Sequence, residues 1–207
     1  GLSKDYYQKK TKENDEVIQE YTKYVSDMLN LLGDENSEEK AKNIVLFEKD
    51  IANTLLTNEE SHDIKKYNNP RTLNQISKMV KNVDLVNYLK ESGVNTDKVI
   101  IGELKYFENL DNIINEKNIE IIKDYIKFHL ISGSASILSD KLGERKFEFY
   151  GKYLNGQKQR EVLEKRGLYF VVGTLGETVS KVYVDRKFSP EAKKDTQEMV
   201  DYIVKAF

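Results

Sequence analysis

The side chains best suited to metal chemistry in this sequence are two histidines, His62 and His129. A peptidase zinc site typically places two histidines one helical turn apart, with a glutamate general base between them, in the pattern HExxH. The sequence has no such pattern, because Glu59 and His62 form a single Glu-x-x-His step and His129 lies far along the chain. We therefore predict that neither histidine binds a metal and that His129 is an ordinary surface or core residue of a helix.

The sequence also lacks the patterns expected of a nucleophilic catalyst or of a catalytic pair of carboxylates. The chain has no cysteine and no G-x-S-x-G sequence, so a thiolate nucleophile and a nucleophile elbow are both excluded. The acidic pairs Glu38–Glu39 and Glu59–Glu60 are typical of solvated helix ends. The sequence thus predicts no catalytic, cofactor-binding or metal-binding residue.

Two groups of side chains could bind a ligand without catalysing a reaction. Six aromatic residues either line a peptide-binding surface or, more commonly, form core with a polar edge at the surface; they are Tyr6, Tyr7, Phe147, Phe149, Tyr150 and Tyr153. Four basic residues form either a solvated face or a site for a substrate carboxylate; they are Lys158, Arg160, Lys165 and Arg166. Both alternatives stay open from the sequence.

The composition indicates that these residues are carried by helices. The 207 residues include only two prolines and eleven glycines, with 39% apolar and 33% charged residues, which favours an all-α fold with at most one short β ribbon. The net charge of −2 gives no basic excess for nucleic acid or an anionic membrane surface. Since no apolar run reaches about 18 residues, we predict no membrane-spanning segment and no membrane contact from this chain.

The first third of the chain predicts an antiparallel helix hairpin. After an extended lead-in over residues 1–11, apolar residues recur at helical spacing from Lys12 to Leu32, and again from Glu38 to Leu56. Glu48 interrupts the apolar side of the second helix, and we interpret it as a solvated edge or an ion pair. Short helices capped by Thr72 and Asp84 follow, with a turn at 69–70 and one strand at 99–102.

Helices are predicted next at 103–116, 119–135, 139–153 and 160–186, and a last helix begins at Ser189-Pro190. The helix over 160–186 carries an apolar stripe at steps of three and four, which consists of Leu168, Val171, Val172, Leu175, Val179, Val182 and Tyr183. Gly173, Gly176 and Ser180 lie on another side. Because a mid-helix glycine costs about 1 kcal/mol relative to alanine, we predict a tightly packed core helix approached closely by another helix.

Three stretches carry a resemblance to a known family. FYGKYLNGQK and LGETVSKVYVDRKFSPEAK, together with the opening GLSKDYY, resemble the N-terminal domain of neprilysin-like zinc metalloendopeptidases. That family includes neprilysin, the endothelin-converting enzymes and bacterial oligopeptidases. The resemblance spans residues 1–207, although Ser3 stands where the family usually has proline and Glu164 where it usually has tryptophan.

The resemblance implies that residues 1–207 are a helical domain and a fragment of a longer peptidase. A catalytic domain that follows in the chain would supply the zinc ligands and the general base, and together the two parts would enclose a chamber admitting only oligopeptides. The expected partners are therefore that catalytic domain and oligopeptide substrates, with zinc bound by the parent and none bound here. We expect the chain alone to be inactive.

A stand-alone helical interaction module without enzymatic activity is the alternative. Lack of cysteine and of a signal segment favours a cytoplasmic location, while an exported or membrane-anchored parent stays open.

Overall fold

A computed structural model describes all residues from Gly1 to Phe207, and the chain divides into two units, Gly1–Lys158 and Gln159–Phe207. The model confirms the all-α prediction, because a single pair of short strands is its only sheet. None of its helices combines the length and the apolar content that crossing a membrane requires.

The first unit begins with three helices: α1 (Lys4–Gln8), α2 (Lys12–Asn30) and α3 (Ser37–Ala52). α2 and α3 pack against each other, as the predicted hairpin requires, and Gly33 lies in the link between them with a positive φ of 82°. The predicted extended lead-in is wrong. Residues 4–8 are helical, and this turn lets Tyr7 bury its ring against the α2–α3 pair.

The middle of the first unit consists of short elements. They are α4 (Asn58–Ser61), α5 (Ile64–Tyr67), β1 (Asn69–Thr72), α6 (Leu73–Met79), α7 (Leu85–Glu91), β2 (Lys98–Ile101), α8 (Leu104–Glu108) and α9 (Leu110–Ile113). The predicted caps are confirmed, since the Thr72 side chain accepts from Gln75 N and Asp84 from Asn87 N. The turn predicted at Asn69–Pro70 is wrong. These residues form β1, which pairs antiparallel with β2, and proline is tolerated because β1 is an edge strand.

The first unit closes with a 3₁₀ turn (Glu116–Asn118), α10 (Ile119–Ser134), α11 (Asp140–Lys146) and a π-helix (Phe147–Leu154). The π-helix occupies the FYGKYL stretch, which the sequence had predicted as part of one α-helix. Gly151 is buried within it, and its carbonyl accepts a hydrogen bond from Gln157 N at 2.9 Å.

Aromatic rings fill the core where α2, α10 and the π-helix meet. Tyr24 stacks on Phe149 with 5.1 Å between ring centroids, and Phe128 meets both Tyr21 and Tyr24 edge-on. All four rings are at most 2% exposed. Offset-stacked and edge-to-face pairs contribute about 0.5–1.5 kcal/mol each beyond the burial of their area, so this cluster holds together segments that are distant in sequence.

The second unit contains two helices, α12 (Leu163–Lys187) and α13 (Pro190–Ala206). The predicted start of α13 is confirmed, because the Ser189 side chain accepts from Ala192 N and Pro190 occupies the first turn. The prediction that α12 is a tightly packed core helix is wrong. None of its residues is buried, and a Cβ placed on Gly173 or Gly176 would have no neighbour within 4 Å. The helix is also kinked at Leu175, whose φ and ψ are −120° and 31°.

Candidate functional site

The most unusual polar group in the first unit is the carboxylate of Glu48, which is 7% exposed. It accepts hydrogen bonds from the Tyr7 hydroxyl and, at 3.0 Å, from the Tyr21 hydroxyl. His129 Nε2 lies 2.6 Å from Glu48 Oε1, and the ring nitrogen donates because a carboxylate oxygen only accepts. A buried charge is tolerated when it is paired and hydrogen-bonded in this way.

Four helices position this cluster, which we call the Glu48 cluster: Tyr7, Tyr21, Glu48 and His129. Tyr7 comes from α1, Tyr21 from α2, Glu48 from α3 and His129 from α10. Glu48 follows Ile44 and precedes Ala52 at helical steps on the buried face of α3, so the fold must place its carboxylate inside. The solvated edge predicted for Glu48 is therefore wrong, because the carboxylate is buried and hydrogen-bonded to the His129 ring.

The sequence contained one signal for this cluster, the position of Glu48 on the apolar side of a helix, but this signal did not identify the residues that contact Glu48. A glutamate on the apolar face of a helix must either reach water or find donors, and the donors come from positions 7, 21 and 129, which no local pattern connects. His129 is, as predicted, a helix residue beside the core, and its side chain is 26% exposed. Its bond to Glu48 is the feature that the sequence did not predict.

The chemistry available to the Glu48 cluster is limited. It contains one carboxylate, one imidazole and two phenols, and a cavity of about 200 Å³ opens beside Glu48 and His129. A zinc site needs three or four well-placed nitrogen, sulfur or oxygen ligands, and no group of three His, Cys, Asp or Glu side chains in the structure could hold a metal ion. The Glu48 cluster therefore does not supply the ligands of a zinc site, and the zinc that the resemblance implies was expected in the parent protein.

His62 and Glu59, the one metal-like pair in the sequence, lie at the surface. His62 is exposed and forms the C-terminal cap of α4, while Glu59 lies in the first turn of that helix. The neighbouring Glu60 completes a capping box with Thr57 and pairs with Lys66 at 2.7 Å. The hydrogen bond and charge of Lys66, together with the capping contact, lower the pKa of Glu60 to about 2. The acidic residues of α4 thus serve as helix-end groups, and the absence of a metal ligand among them stays a prediction.

The six aromatic candidates do not form one surface. Tyr7 and Phe149 are core residues, Tyr6, Phe147 and Tyr150 are half-buried, and Tyr153 is 45% exposed and stacks over Phe149 at 5.9 Å. The core interpretation thus accounts for most of them, and a peptide surface could use only Tyr153 fully.

Of the four basic candidates, Lys158 belongs to the first unit and Arg160, Lys165 and Arg166 belong to the second. Lys165 forms an ion pair with Glu161 at 2.9 Å and lies over the Tyr169 ring. These contacts are those of a solvated face, and a carboxylate-binding role for the group stays untested.

Burial next to Glu48 has a measurable consequence at high pH. Desolvation, followed by the nearby Glu48 charge, raises the pKa of both Tyr7 and Tyr21 well above the ordinary value near 10. The folded chain therefore retains phenolic protons that the unfolded chain loses. The stabilisation is complete below about pH 10 and declines as the pH rises above that value.

We expect the urea midpoint to fall between about pH 9 and pH 11, and to fall less in the Tyr7→Phe/Tyr21→Phe double variant. Tyr88→Phe is the matched control, because Tyr88 is 65% exposed. An identical pH profile for the double variant and the wild type would show that the two buried phenols do not titrate on unfolding.

The fold and the site together define a mainly helical chain that buries the Glu48 cluster and has no cluster of metal ligands. The N-terminal family model of peptidase family M13 matches residues 1–207, so the chain belongs to this family. The resemblance found in the sequence is thereby confirmed.

Curated relatives and solved structures agree with this assignment. The chain is 26% identical to the neutral endopeptidase of Lactococcus lactis, over 98% of this chain and 32% of that protein. It is also 26% identical to neprilysin-1 of Trittame loki, over 93% of this chain and 28% of that protein. The open state of the zinc metalloprotease Zmp1 of Mycobacterium tuberculosis has a TM-score of 0.83 and 26% identity, over 97% of this chain and 32% of that chain. The chain thus spans about a third of the length of these proteins.

Proposed function

We propose that this chain is the non-catalytic helical part of a zinc metalloendopeptidase that hydrolyses oligopeptides. The observation that carries the proposal is the family match over residues 1–207, in a chain whose side chains form no metal site. The relatives named as endopeptidases are about three times longer. Zinc, the general base and the groups that stabilise the transition state then belong to the remaining two thirds of the parent protein.

In this proposal the helical part covers the active site of the catalytic part and limits the size of the substrates that enter. The core of the first unit supports such a role, because its aromatic cluster and the Glu48 cluster fix α1, α2, α3 and α10 to one another. A rigid cover excludes large substrates by shape rather than by chemistry. Oligopeptides are then cleaved, and folded proteins are excluded.

The test compares the parent protein with residues 1–207 on a fluorogenic oligopeptide, with and without a zinc chelator. We expect chelator-sensitive cleavage by the parent and no cleavage by residues 1–207 at equal concentration. The same peptide sequence placed in a loop of a folded carrier protein should resist the parent. Zinc-dependent cleavage by residues 1–207 would contradict the proposal, and a parent without peptidase activity would favour a stand-alone interaction module.

A further inference from the structure

The C-terminal half of α12 presents an apolar face with no cover in its own unit. Val182 and Tyr183 follow Val179 by three and four positions, so these three residues share one side of α12, and Gly176 lies at the edge of that side. Val182 and Tyr183 are 48% and 63% exposed. A shallow cavity of about 390 Å³ lies along this side and is lined by α12 residues alone. We call these four residues the α12 face.

The opposite side of the same half-helix is polar. Glu177, Lys181 and Asp185 recur at steps of four, and all three are exposed. Arg186 and Lys187 line the same cavity as Val182 and Tyr183, so the α12 face is an apolar strip bordered by charged side chains. Apolar side chains that are exposed together in this way mark a surface for contact, and the second unit leaves Val182 and Tyr183 exposed.

The shape of the α12 face indicates what kind of element covers it. Gly176 costs about 1 kcal/mol relative to alanine in a helix, and a Cβ placed on it would meet no atom within 4 Å. Packing within this chain therefore does not require the glycine. Glycine on a contact face allows the backbone of a second helix to approach closely, and Val179 and Tyr183 would then pack against that helix in the next two turns.

We infer that the α12 face is the docking surface for a helix of the catalytic part of the same parent chain. This inference rests on the proposed function. Its support is the length of chain outside these 207 residues, because the matches cover 97–98% of this chain but only 32% of the longer proteins. A segment of the parent's own chain has a high effective concentration, so it reaches the face before any separate partner does.

Hydrogen exchange tests the inference without a substitution. Amides of α12 should exchange at least about tenfold more slowly in the parent than in residues 1–207, because docking closes the local opening of an unburied helix. α7 of the first unit, which has no buried residue, serves as the internal reference. Equal exchange of α12 in both proteins would overturn the inference. Slower exchange in residues 1–207 that depends on protein concentration would also overturn it, since a second copy would then be the occupant.

A matched pair of substitutions tests the residues. Both Val182 and Lys181 are exposed, so Val182→Asp and Lys181→Asp should leave the unfolding of residues 1–207 unchanged. In the parent, Val182→Asp should remove the added exchange protection of α12 and lower kcat/KM at least about tenfold, whereas Lys181→Asp should retain both. Gly176→Leu should act like Val182→Asp. Gly167→Leu should not, because Gly167 lies about two and a half turns before Gly176 and therefore on the opposite side of the helix.

The two proposals can fail separately. A wild-type parent without zinc-dependent cleavage would overturn the proposed function, and the exchange comparison would still decide the docking surface. An active parent in which Val182→Asp and Lys181→Asp behave alike would overturn the docking surface alone.

Discussion

Replacing Glu48 with alanine should destabilise the first unit by about 3 kcal/mol. The change leaves the buried hydroxyls of Tyr7 and Tyr21 and the His129 ring without their acceptor. A buried donor without a partner costs about 1–3 kcal/mol, and this change leaves two buried phenols and a half-buried imidazole without their acceptor. Urea denaturation followed by near-ultraviolet circular dichroism measures the loss, because this signal reports the packing of the tyrosines.

Asp50→Ala is the control for this prediction. Asp50 is an exposed carboxylate on the same helix, so its removal should change the free energy of unfolding by less than about 0.5 kcal/mol. Tyr7→Phe should cost about 2 kcal/mol, as expected for one hydrogen bond to a charged acceptor. If Glu48→Ala and Asp50→Ala are equally mild, the Glu48 cluster does not stabilise the fold.

Substituting Gly151 should be the second costly change, at about 2 kcal/mol for alanine. A Cβ at this buried position of the π-helix would lie 2.6 Å from Cε2 of Phe147 and 2.9 Å from Oε1 of Gln157. Both distances are shorter than any normal contact, so the ring and the amide must move. Forcing extra atoms into a packed site typically costs about 1–3 kcal/mol. The midpoint of thermal unfolding, followed by circular dichroism, measures the effect.

Gly133→Ala should change the stability in the opposite direction from Gly151→Ala. Gly133 is exposed in α10, and a Cβ there would meet nothing within 4 Å. Alanine should therefore stabilise the chain by about 0.5–1 kcal/mol through its higher helix propensity. A Gly151→Ala variant that gains stability, as Gly133→Ala should, would show that Phe147 moves aside without cost.

Local signals explain most of what the sequence predicted correctly. α2, α3, α10 and α13 have long periodic patterns, and Thr72, Asp84 and Ser189 have cap chemistry that acts within three residues. The strand at β2 was short but consistently apolar. Such features depend on neighbours along the chain, so one sequence is sufficient to identify them.

The incorrect predictions depend on contacts between distant residues. α1 is too short to show a period, and it is helical where Tyr7 reaches Glu48. Pro70 indicated a turn, but β2 supplies a strand partner only at position 100. The π-helix accommodates Gly151 against Phe147 and Gln157. For α12, periodicity predicted a buried core helix, but no residue of α12 is buried, because periodicity does not specify whether a covering element lies within the same 207 residues.

The Glu48 cluster also sets a delay during synthesis. His129 is separated from Glu48 by 81 positions, and ribosomes add roughly 5–20 residues per second. His129 is therefore synthesised about 4–16 s after Glu48, and it reaches the cluster only after α10 has left the exit tunnel. During that interval the Glu48 carboxylate has its two tyrosine donors but lacks the His129 donor and the cover that α10 provides. A chaperone that shields early apolar surface should thus matter most for this protein before α10 emerges.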